Sequence, residues 1–310
     1  MMEADIQTSK GEVADLKERG STAGPEGSRH RRDFLMPPRD PLAHKGIFGR
    51  IFILAGSVGY TGAPVMAARA ALRTGAGLVF VGVPKDIYPI VAVKCEEAMP
   101  FPLPEEPGEI LERARGCDVA LVGPGLGREK SVQKLVHLLL RELEIPVVLD
   151  ADGINALSGH IDILDQRSAP TILTPHSMEF SRLTGCQLPI QDPLKLARDF
   201  AERHSCTMVL KGHRTITAAP DGAVWVNDTG NPGMAKGGSG DVLAGMIAAL
   251  LGQKHLGETG ASPAKLVAMA VWYHGLAGDR CAEKFGEYAM LPTDLIEMLP
   301  EVLKDASQTH

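Results

Sequence analysis

The sequence predicts an α/β fold with a mostly parallel central sheet, helices on both faces of the sheet and an antiparallel hairpin at one edge. Two observations carry this prediction. Short apolar segments alternate with amphipathic segments over residues 51–212, as in parallel strands that are buried on both faces and connected by helices. Later, Asp221-Gly222 separates two strand-like segments, and this dipeptide favours a hairpin turn.

The predicted elements follow one another regularly. The strands are IFILAG (51–56), LVFVGV (78–83), DVALVG (118–123), PVVLDAD (146–152), TILT (171–174), TMVLKG (207–212) and the hairpin segments TITAAP and AVWVND. The first connecting helix spans residues 62–74, where Val65, Ala68 and Leu72 form an apolar stripe. KDIYPIVAVK and KSVQKLVHLLLREL are further amphipathic segments, and residues 239–303 show three helical patterns without another strand. One domain, residues 41–310, accounts for all of these elements.

Composition excludes several classes of protein. The formal net charge is −6, whereas a protein that coats nucleic acid is usually basic. No run of 18 apolar residues occurs, so neither a membrane span nor a membrane partner is predicted. Five scattered cysteines without a C-x-x-C pair indicate no disulfide framework or zinc site and favour a reducing cytoplasm. Residues 1–40 are predicted to be a disordered extension, because their first 35 positions are of mixed charge and poor in apolar residues.

Five polar or glycine-rich loops follow predicted parallel strands. They are GSVGYTGA, GPGLG, DADG, TPHSMEF and KGHRT. Ligands of open α/β sheets bind outside the carboxyl ends of the strands. The sequence therefore predicts one binding rim to which all five loops contribute.

The segment GNPGMAKGGSGDVLAG predicts an anion site at the start of a helix. Gly237, Gly238 and Gly240 permit unusual backbone angles, and Ser239 is a suitable N-cap. The free N–H groups of the first turn then suit a phosphate, and Asp241 is placed to act as a base on a nearby hydroxyl. Close helix–sheet packing of the glycines and a favourable helix-dipole contact of Asp241 explain the segment equally well. It is neither a Walker A loop nor a Rossmann fingerprint.

Three other loops carry weaker signals. Lys211 in KGHRT, with Thr215, suits a nucleotide phosphate, but a solvated lysine explains it as well. His176 and Glu179 lie one helical turn apart in TPHSMEF, where the histidine is either a ligand of a substrate or phosphate or a helix-start residue. In DADGIN the oxygen-bearing side chains suit the outer sphere of Mg²⁺, although a turn and helix cap fit equally. These are Asp150, Asp152 and Asn155.

Taken together, the motifs resemble the NAD(P)H-hydrate dehydratase family and occur in its order. The resemblance covers about residues 44–303 and lies in HKGIFGRIFILAGSVGYTGAPVMAARAALRTGAGLV, GPGLG, LDADGINAL, ILTPHSMEFSRL, VLKGHRTI and GNPGMAKGGSGDVLAGMIAAL, with HGLAGD (274–279) and LPTDLIEMLP (291–300) in addition. It implies a ribokinase-like fold and the repair of NADHX and NADPHX, the hydrated forms of the reduced nicotinamide cofactors. Dehydration of the S epimer consumes ADP in bacterial members and ATP in eukaryotic ones, and Mg²⁺ usually assists. The TPH motif resembles the bacterial form, so ADP is the expected co-substrate.

The resemblance also implies roles for single residues. Ala63, a GPGLG glycine (Gly125 or Gly127) and His176 match positions that contact the hydrate. Asp241 matches the acid that contacts the hydrate and serves as its catalytic base. No metal ligands are assigned. The positions that match the nucleotide-binding segments are Lys211, Gly212, His213, Arg214, Thr215, Gly237, Gly238, Ser239 and Gly240.

Some features depart from the family pattern or leave it open. Many relatives carry an N-terminal epimerase domain, whereas about 40 residues precede the match here, so a separate epimerase is expected to act on the same metabolite. SMEF follows TPH where Pro-Gly-Glu is common. A homo-oligomer, a tetramer, is expected by resemblance. The alternative functions are a small-molecule alcohol kinase of the ribokinase-like superfamily, which would leave a stable phosphorylated product, and a non-enzymatic nucleotide-binding protein.

Overall fold

A nine-stranded sheet forms the centre of the computed structural model, which describes residues 34–307. The strands are β1 (Arg50–Leu54), β2 (Leu78–Val83), β3 (Met99–Pro102), β4 (Val119–Val122), β5 (Val147–Leu149), β6 (Thr171–Leu173), β7 (Thr207–Leu210), β8 (Ile216–Ala218) and β9 (Val224–Val226). Their order across the sheet is β3-β2-β1-β4-β5-β6-β7-β8-β9. Strands β1 to β7 pair in parallel, and β8 and β9 add an antiparallel hairpin at one edge. The predicted sheet and hairpin are confirmed.

Helices fill the connections between the strands. They are α1 (Gly62–Arg73), α2 (Tyr88–Lys94), α3 (Pro107–Arg115), α4 (Lys130–Glu142), α5 (Asp152–Asn155), α6 (Asp162–Asp165), α7 (Ser177–Thr184), α8 (Pro193–Arg203), α9 (Ser239–Gly252), α10 (Lys254–Glu258), α11 (Pro263–Phe285) and α12 (Pro292–Ser307). Short 3₁₀ turns occupy Lys85–Ile87 and Pro232–Met234. Among the described residues, no helix is long and apolar enough to cross a membrane.

Both faces of the sheet are covered, as the apolar strands predict. Phe52 and Leu54 of β1 point into a core shared with α4, which contributes Leu139. The alternate residues, Ile51 and Ile53, are equally inaccessible to solvent, and α9 packs against β1 and β4. Successive side chains of a strand point to opposite faces, so the two apolar sets of β1 are buried by helices on the two sides of the sheet.

The structure departs from the predicted elements in one strand and in the C-terminal helices, and it adds the helices α3 and α8, which were not predicted. Strand β3 was not predicted, because its sequence MPFP contains two prolines, and proline is accepted only where a strand needs few hydrogen bonds. Here β3 is an edge strand that pairs with β2 alone. After residue 238 the described part of the chain forms four helices instead of three, because the short α10 separates α9 from α11.

The predicted disordered extension, residues 1–40, can be compared with the structure only in part, since residues 1–33 lie outside the described residues. From Met36 onward the described residues belong to one compact unit. Arg39 donates a hydrogen bond to the Gly75 carbonyl (2.7 Å) and stacks on the Phe48 ring. The boundary between an extension ending at residue 40 and a domain beginning at residue 41 stays a prediction.

The strand order creates a crevice at the carboxyl ends of two central strands. The chain leaves β1 towards β2 and β3, and it later returns to place β4 on the other side of β1. At such a reversal the loops after the two strands diverge and leave room for a ligand. The loops after β1 and β4 are the glycine-rich segments GSVGYTGA and GPGLG, so the predicted rim lies at the position that the topology favours.

Candidate functional site

Three polar side chains meet at the carboxyl ends of β5, β6 and β7. Asp150 follows β5, Thr174 follows β6 and Lys211 follows β7. Oδ1 of Asp150 accepts hydrogen bonds from Thr174 Oγ1 (2.5 Å) and from Lys211 Nζ (2.7 Å). Asp150 and Thr174 are buried, whereas the lysine side chain keeps 20% of its surface exposed. The Lys211 ammonium is therefore held in place by Asp150, while part of the side chain remains accessible to a ligand.

The start of α9 has the features of an anion site. Gly238 is its N-cap, with φ at +106°, a value that side chains rarely adopt. Among the described residues, the backbone N–H groups of Gly240 and Asp241 in the first turn donate no hydrogen bond. The prediction of Ser239 as N-cap is wrong: Ser239 is the first helical residue, and its Oγ is buried without a partner in the described part. Free N–H groups remain at the helix start without a serine cap.

Lys211 and Asp241 both lie near this helix start and interact electrostatically. A Cβ atom placed on Gly240 would lie 3.3 Å from Lys211 Nζ, so glycine lets the ammonium approach the first turn of α9. Burial lowers the pKa of Lys211, but the charges of Asp150, Glu179 and Asp241 outweigh it and raise that pKa overall. Burial and the charge of Asp150 raise the pKa of Asp241 to about 7, against the opposing effect of Lys211. A carboxylate with such a pKa can take up a proton near neutral pH.

The loops after β1 and β4 form the second part of the rim. Ser57 Oγ donates to the Gly125 carbonyl (2.8 Å) and holds the two loops together. A Cβ atom on Gly125 would lie 2.8 Å from the Tyr60 side chain and 3.3 Å from that of Ala63. Ala63 and Gly125, two predicted substrate positions, are therefore neighbours. The Met66 thioether, one helical turn after Ala63, lies against Gly238 and links this part to the start of α9.

Gly127, the other predicted glycine of GPGLG, is held by an acidic side chain. Its N–H donates to Asp152 Oδ2 (2.9 Å), and Oδ1 of the same carboxylate accepts from Arg128 (3.3 Å) and Asn155 (3.1 Å). Asp152 thus fixes the loop after β4 from the first turn of α5. Asp150 instead pairs with Lys211, so the side chains of DADGIN serve separate contacts. Among the described residues no three histidine, cysteine or acidic side chains are arranged to hold a metal ion.

His176 begins α7 as its N-cap. Its Nδ1 accepts from the N–H groups of Met178 (3.1 Å) and Glu179 (3.3 Å), and Glu179 Oε2 accepts from the His176 N–H (2.9 Å). This reciprocal capping box is the helix-start role that the sequence left open. The imidazole is 47% exposed, and its Nε2 lies 3.4 Å from Glu179 Oε1. The backbone of His176 forms a parallel bridge with Lys211, which places the histidine at the rim.

The two roles of His176 are separable by substitution. We expect His176→Ala to lower the free energy of unfolding by about 1 kcal/mol, because the cap is lost. His176→Asn should keep most of that stability, since asparagine is a good N-cap, while it removes the imidazole. Thermal melts check the stability of both variants, and the KM for the hydrate that the family resemblance leads us to expect checks the loss of the imidazole. An unchanged KM in the asparagine variant would limit His176 to capping.

The rest of KGHRT forms an exposed turn. Gly212, His213 and Arg214 are exposed, and Arg214 has φ at +60°. Thr215 Oγ1 donates to the Gly212 carbonyl (3.1 Å) and closes the turn. Gly237 is open as well, since a Cβ atom there would meet nothing within 4 Å. The turn is accessible to a ligand, whereas the hydroxyl of Thr215 already serves the backbone.

Sequence reasoning missed two residues of α11 that lie near the start of α9. Asp279 accepts from the Gly230 N–H (2.9 Å) and from the Asn231 side chain (3.1 Å), which anchors the loop before the helix. His274 is buried, its Nε2 has no hydrogen-bond partner among the described residues, and burial lowers its pKa to about 4. Both lie in HGLAGD on α11. They are five residues apart, about one and a half helical turns, so their spacing does not place them on one helix face and the sequence did not link them.

A cavity of about 490 Å³ lies at the opposite end of the sheet. Its lining includes Arg50 at the start of β1, Asp118 just before β4, and Phe48 and His255 nearby. Ligands of open α/β sheets bind at the carboxyl ends of strands, and this cavity touches the amino ends. The rim described above, with its free N–H groups and buried charges, is the better candidate site.

Comparison with known proteins identifies the family. A family model described as NAD(P)H-hydrate dehydratase matches residues 51–301. The bifunctional NAD(P)H-hydrate repair enzyme of Moorella thermoacetica is 42% identical over 284 residues, which are 88% of this chain and 52% of that protein. The ADP-dependent (S)-NAD(P)H-hydrate dehydratase of Bacillus subtilis is 33% identical over 273 residues, 87% of this chain and 94% of that protein. The chain spans about half the length of the bifunctional relatives that it matches.

Solved structures show the same fold. The ADP/ATP-dependent NAD(P)H-hydrate dehydratase from B. subtilis, co-crystallized with ATP/Mg²⁺, superposes with a TM-score of 0.76 at 32% identity and covers 90% of this chain and 97% of its own. A ribokinase-like superfamily protein from Enterococcus faecalis reaches a TM-score of 0.78 at 31% identity over 90% and 94% of the two chains. The predicted ribokinase-like fold is confirmed.

Proposed function

The chain belongs to the NAD(P)H-hydrate dehydratase family, and we propose that it dehydrates (S)-NADHX or (S)-NADPHX to NADH or NADPH at the expense of a nucleotide. ADP is the proposed co-substrate, as in the name of the B. subtilis relative, and Mg²⁺ accompanies it, as in the solved ATP/Mg²⁺ structure. The reaction is a carbon–oxygen lyase reaction that releases AMP and phosphate. It repairs a damaged cofactor.

One observation carries the proposal: Asp241, the free N–H groups of the α9 start and Lys211 meet at one point of the rim. A phosphoryl group in transfer needs clustered N–H donors and positive charge. A hydroxyl becomes a good nucleophile when a base removes its proton. Gly240 lets the lysine charge approach the helix start, and Asp241 supplies the base.

Each group has one task in the proposed reaction. The nucleotide phosphates bind the N–H groups of α9 and the ammonium of Lys211, with the KGHRT turn beside them. Asp241 accepts the proton of the hydrate's hydroxyl while that oxygen takes the phosphoryl group and AMP leaves. Loss of the phosphate from its carbon, together with a proton from the neighbouring carbon, then forms the ring double bond and restores the reduced nicotinamide. Ala63 and Gly125 leave space for the hydrate at the crevice.

The residues fit Mg²⁺ as a partner of the nucleotide. Asp150, Glu179 and Asp241 together place more negative charge around Lys211 than the lysine offsets. No three suitable side chains form a metal cage among the described residues. Mg²⁺ commonly keeps several waters and binds largely through substrate phosphates, so the phosphates of the nucleotide would hold it here. The ion supplies neutralisation of the phosphate charge.

The direct test is a turnover assay. Purified protein is incubated with (S)-NADHX, Mg²⁺ and either ADP or ATP while the absorbance of the reduced nicotinamide and the free phosphate are followed. We expect NADH and phosphate in equal amounts, faster with ADP. Consumption of nucleotide that leaves a stable phosphorylated product would support an alcohol kinase instead, and nucleotide binding without any reaction would support a non-enzymatic role.

Three further proposals concern the setting of the enzyme. A cytoplasmic location is supported by the five free cysteines of the described part, which suit a reducing compartment. An epimerase is proposed to act on the same metabolite, supported by the bifunctional names of several relatives. A homotetramer is proposed from the family resemblance, and light scattering at micromolar concentration tests it, with a monomer as the contradicting result.

A further inference from the structure

We propose that Asp150 is a positioning residue of this site: it holds the Lys211 ammonium against the start of α9 and so leaves Asp241 unpaired as the proton acceptor. The inference rests on the proposed function, because it assigns Asp241 the role of base. Asp150 itself touches neither substrate nor nucleotide in this assignment. It acts through Lys211 and through its own charge.

The position of Asp150 is fixed from several sides. Its N–H donates to the carbonyl of Val122, the last residue of β4 (3.2 Å), and its Oδ1 accepts a hydrogen bond from Thr174 Oγ1 (2.5 Å). A Cβ atom on Gly123 would lie 1.8 Å from the Asp150 carbonyl oxygen, so the two backbones are in direct contact. The residue is 2% exposed. A carboxylate that is buried and hydrogen-bonded in this way cannot follow a moving lysine and therefore directs it.

Lys211 has three acids within electrostatic reach, Asp150, Glu179 and Asp241, and among the described residues it forms an ion pair with Asp150 alone. Its Nζ lies 2.7 Å from Asp150 Oδ1, and no ion pair within 4.0 Å joins it to Asp241 among the described residues. The lysine backbone is also held, because its N–H donates to the Pro175 carbonyl (2.8 Å). Asp150 therefore takes the cation that Asp241 would otherwise attract. A base that is paired with an ammonium is a weaker base.

Two charged groups act on Asp241: Asp150, which follows β5, and Lys211, which follows β7. Glu179 on α7 acts on Lys211, and His274 on α11 is buried. Burial keeps His274 neutral, with its pKa lowered to about 4. Burial and the charge of Asp150 raise the pKa of Asp241 to about 7, and Lys211 lowers it. Asp150 thus raises the pKa of Asp241 and Lys211 lowers it. Removing the two charges should therefore shift that pKa in opposite directions, a result that loss of packing alone would not produce.

Two variants test this signature through the pH dependence of kcat/KM for the hydrate. In the wild type the rate should rise with pH through about 7, as Asp241 loses its proton. Asp150→Asn removes the like charge and frees Lys211 to pair with Asp241, so this rise should move by about one pH unit to lower pH. The turnover at pH 8 should fall by about tenfold or more. Lys211→Met removes the cation, so the rise should move to higher pH, and the KM for ADP should increase.

Thr174→Val is the matched control. It removes a hydrogen bond to the same carboxylate oxygen but keeps the charge of Asp150 and its pair with Lys211, so the rise should stay within about 0.3 pH unit of the wild type. Melting curves of all variants report folding. If Asp150→Asn does not fold, the direction of the shift in Lys211→Met decides. Shifts in the same direction for Asp150→Asn and Lys211→Met, or no shift in either, would overturn the inference.

Failure of the inference can be distinguished from failure of the proposed function. An inactive wild type would refute the proposed function. The protonation of Asp241 is then followed by carbon-13 NMR of its carboxyl group in the wild type and in Asp150→Asn, a measurement that needs no turnover. A midpoint that falls by about one pH unit in the variant would support the pairing, and an unchanged midpoint would refute it.

Discussion

We expect Asp241→Asn to lower kcat by about 10³-fold or more, because a positioned general base contributes roughly 10² to 10⁴ to a rate and asparagine cannot accept the proton. The N–H groups at the start of α9 are part of the backbone and remain in place, so the affinity for ADP should change little. Steady-state kinetics and nucleotide titration by calorimetry check the two halves of this result. Near-normal turnover would remove Asp241 from the role of base.

The same substitution should stabilise the protein at alkaline pH. The pKa of Asp241 is raised to about 7 in the folded protein, whereas an aspartate in an unfolded chain has a pKa of about 3.9. The folded state therefore binds this proton more tightly, and the resulting stability is fully present below pH 4 and lost as the pH rises through 7. Asparagine carries no charge at any pH.

The gain from Asp241→Asn should accordingly depend on pH. We expect almost none near pH 4 and an increase in the free energy of unfolding on the order of 2 kcal/mol at pH 8. Urea unfolding at the two pH values measures the difference. Asp86→Asn is the control, because Asp86 is exposed and its neutralisation should show no comparable dependence. An equal gain at both pH values would show that the pKa of Asp241 is not raised.

The sequence predicted those parts of the fold that depend on pattern alone. The apolar runs of β1, β2 and β4 to β7 are visible because both faces of these strands are buried, and the loops that follow them meet as the parallel topology requires. Strand β3 escaped notice because its two prolines disfavour a strand, and only its edge position allows it. Residue type alone also misplaced the start of α9, since Ser239 is a good N-cap but Gly238 occupies that position.

The contacts within the site could not be predicted, because they join residues that are distant in sequence. Asp150 and Lys211 are 61 positions apart, and they meet only because β5, β6 and β7 are consecutive in the sheet. In the sequence, each was a single polar residue with an ordinary explanation. The strand order brings these two charges together as an ion pair, and the start of α9 places Asp241 near them. The roles of the predicted site residues stay predictions that the substitutions above test.

We expect Gly245→Ala to lower the free energy of unfolding by about 2–3 kcal/mol. Gly245 lies in α9 where this helix crosses α1, and a Cβ atom there would lie 2.1 Å from the Ala67 carbonyl oxygen. A backbone atom of a packed helix cannot rotate away as a side chain can, so the two helices must separate. Gly257→Ala in α10 is the matched control, because a Cβ atom there would meet nothing within 4 Å and alanine favours a helix by up to about 1 kcal/mol over glycine. Urea unfolding compares the two variants.

A separation of α1 and α9 should also reach the site, although Gly245 touches no proposed ligand. Ala63 lies in the first turn of the helix that packs against Gly245, and Met66 lies against Gly238, so both halves of the rim depend on this one crossing. We expect kcat of Gly245→Ala to fall by about tenfold at a temperature where the variant is still folded, since small misplacements of catalytic groups are costly. Lower stability with unchanged kcat would show that the rim is held by its own loops and not by the α1–α9 contact.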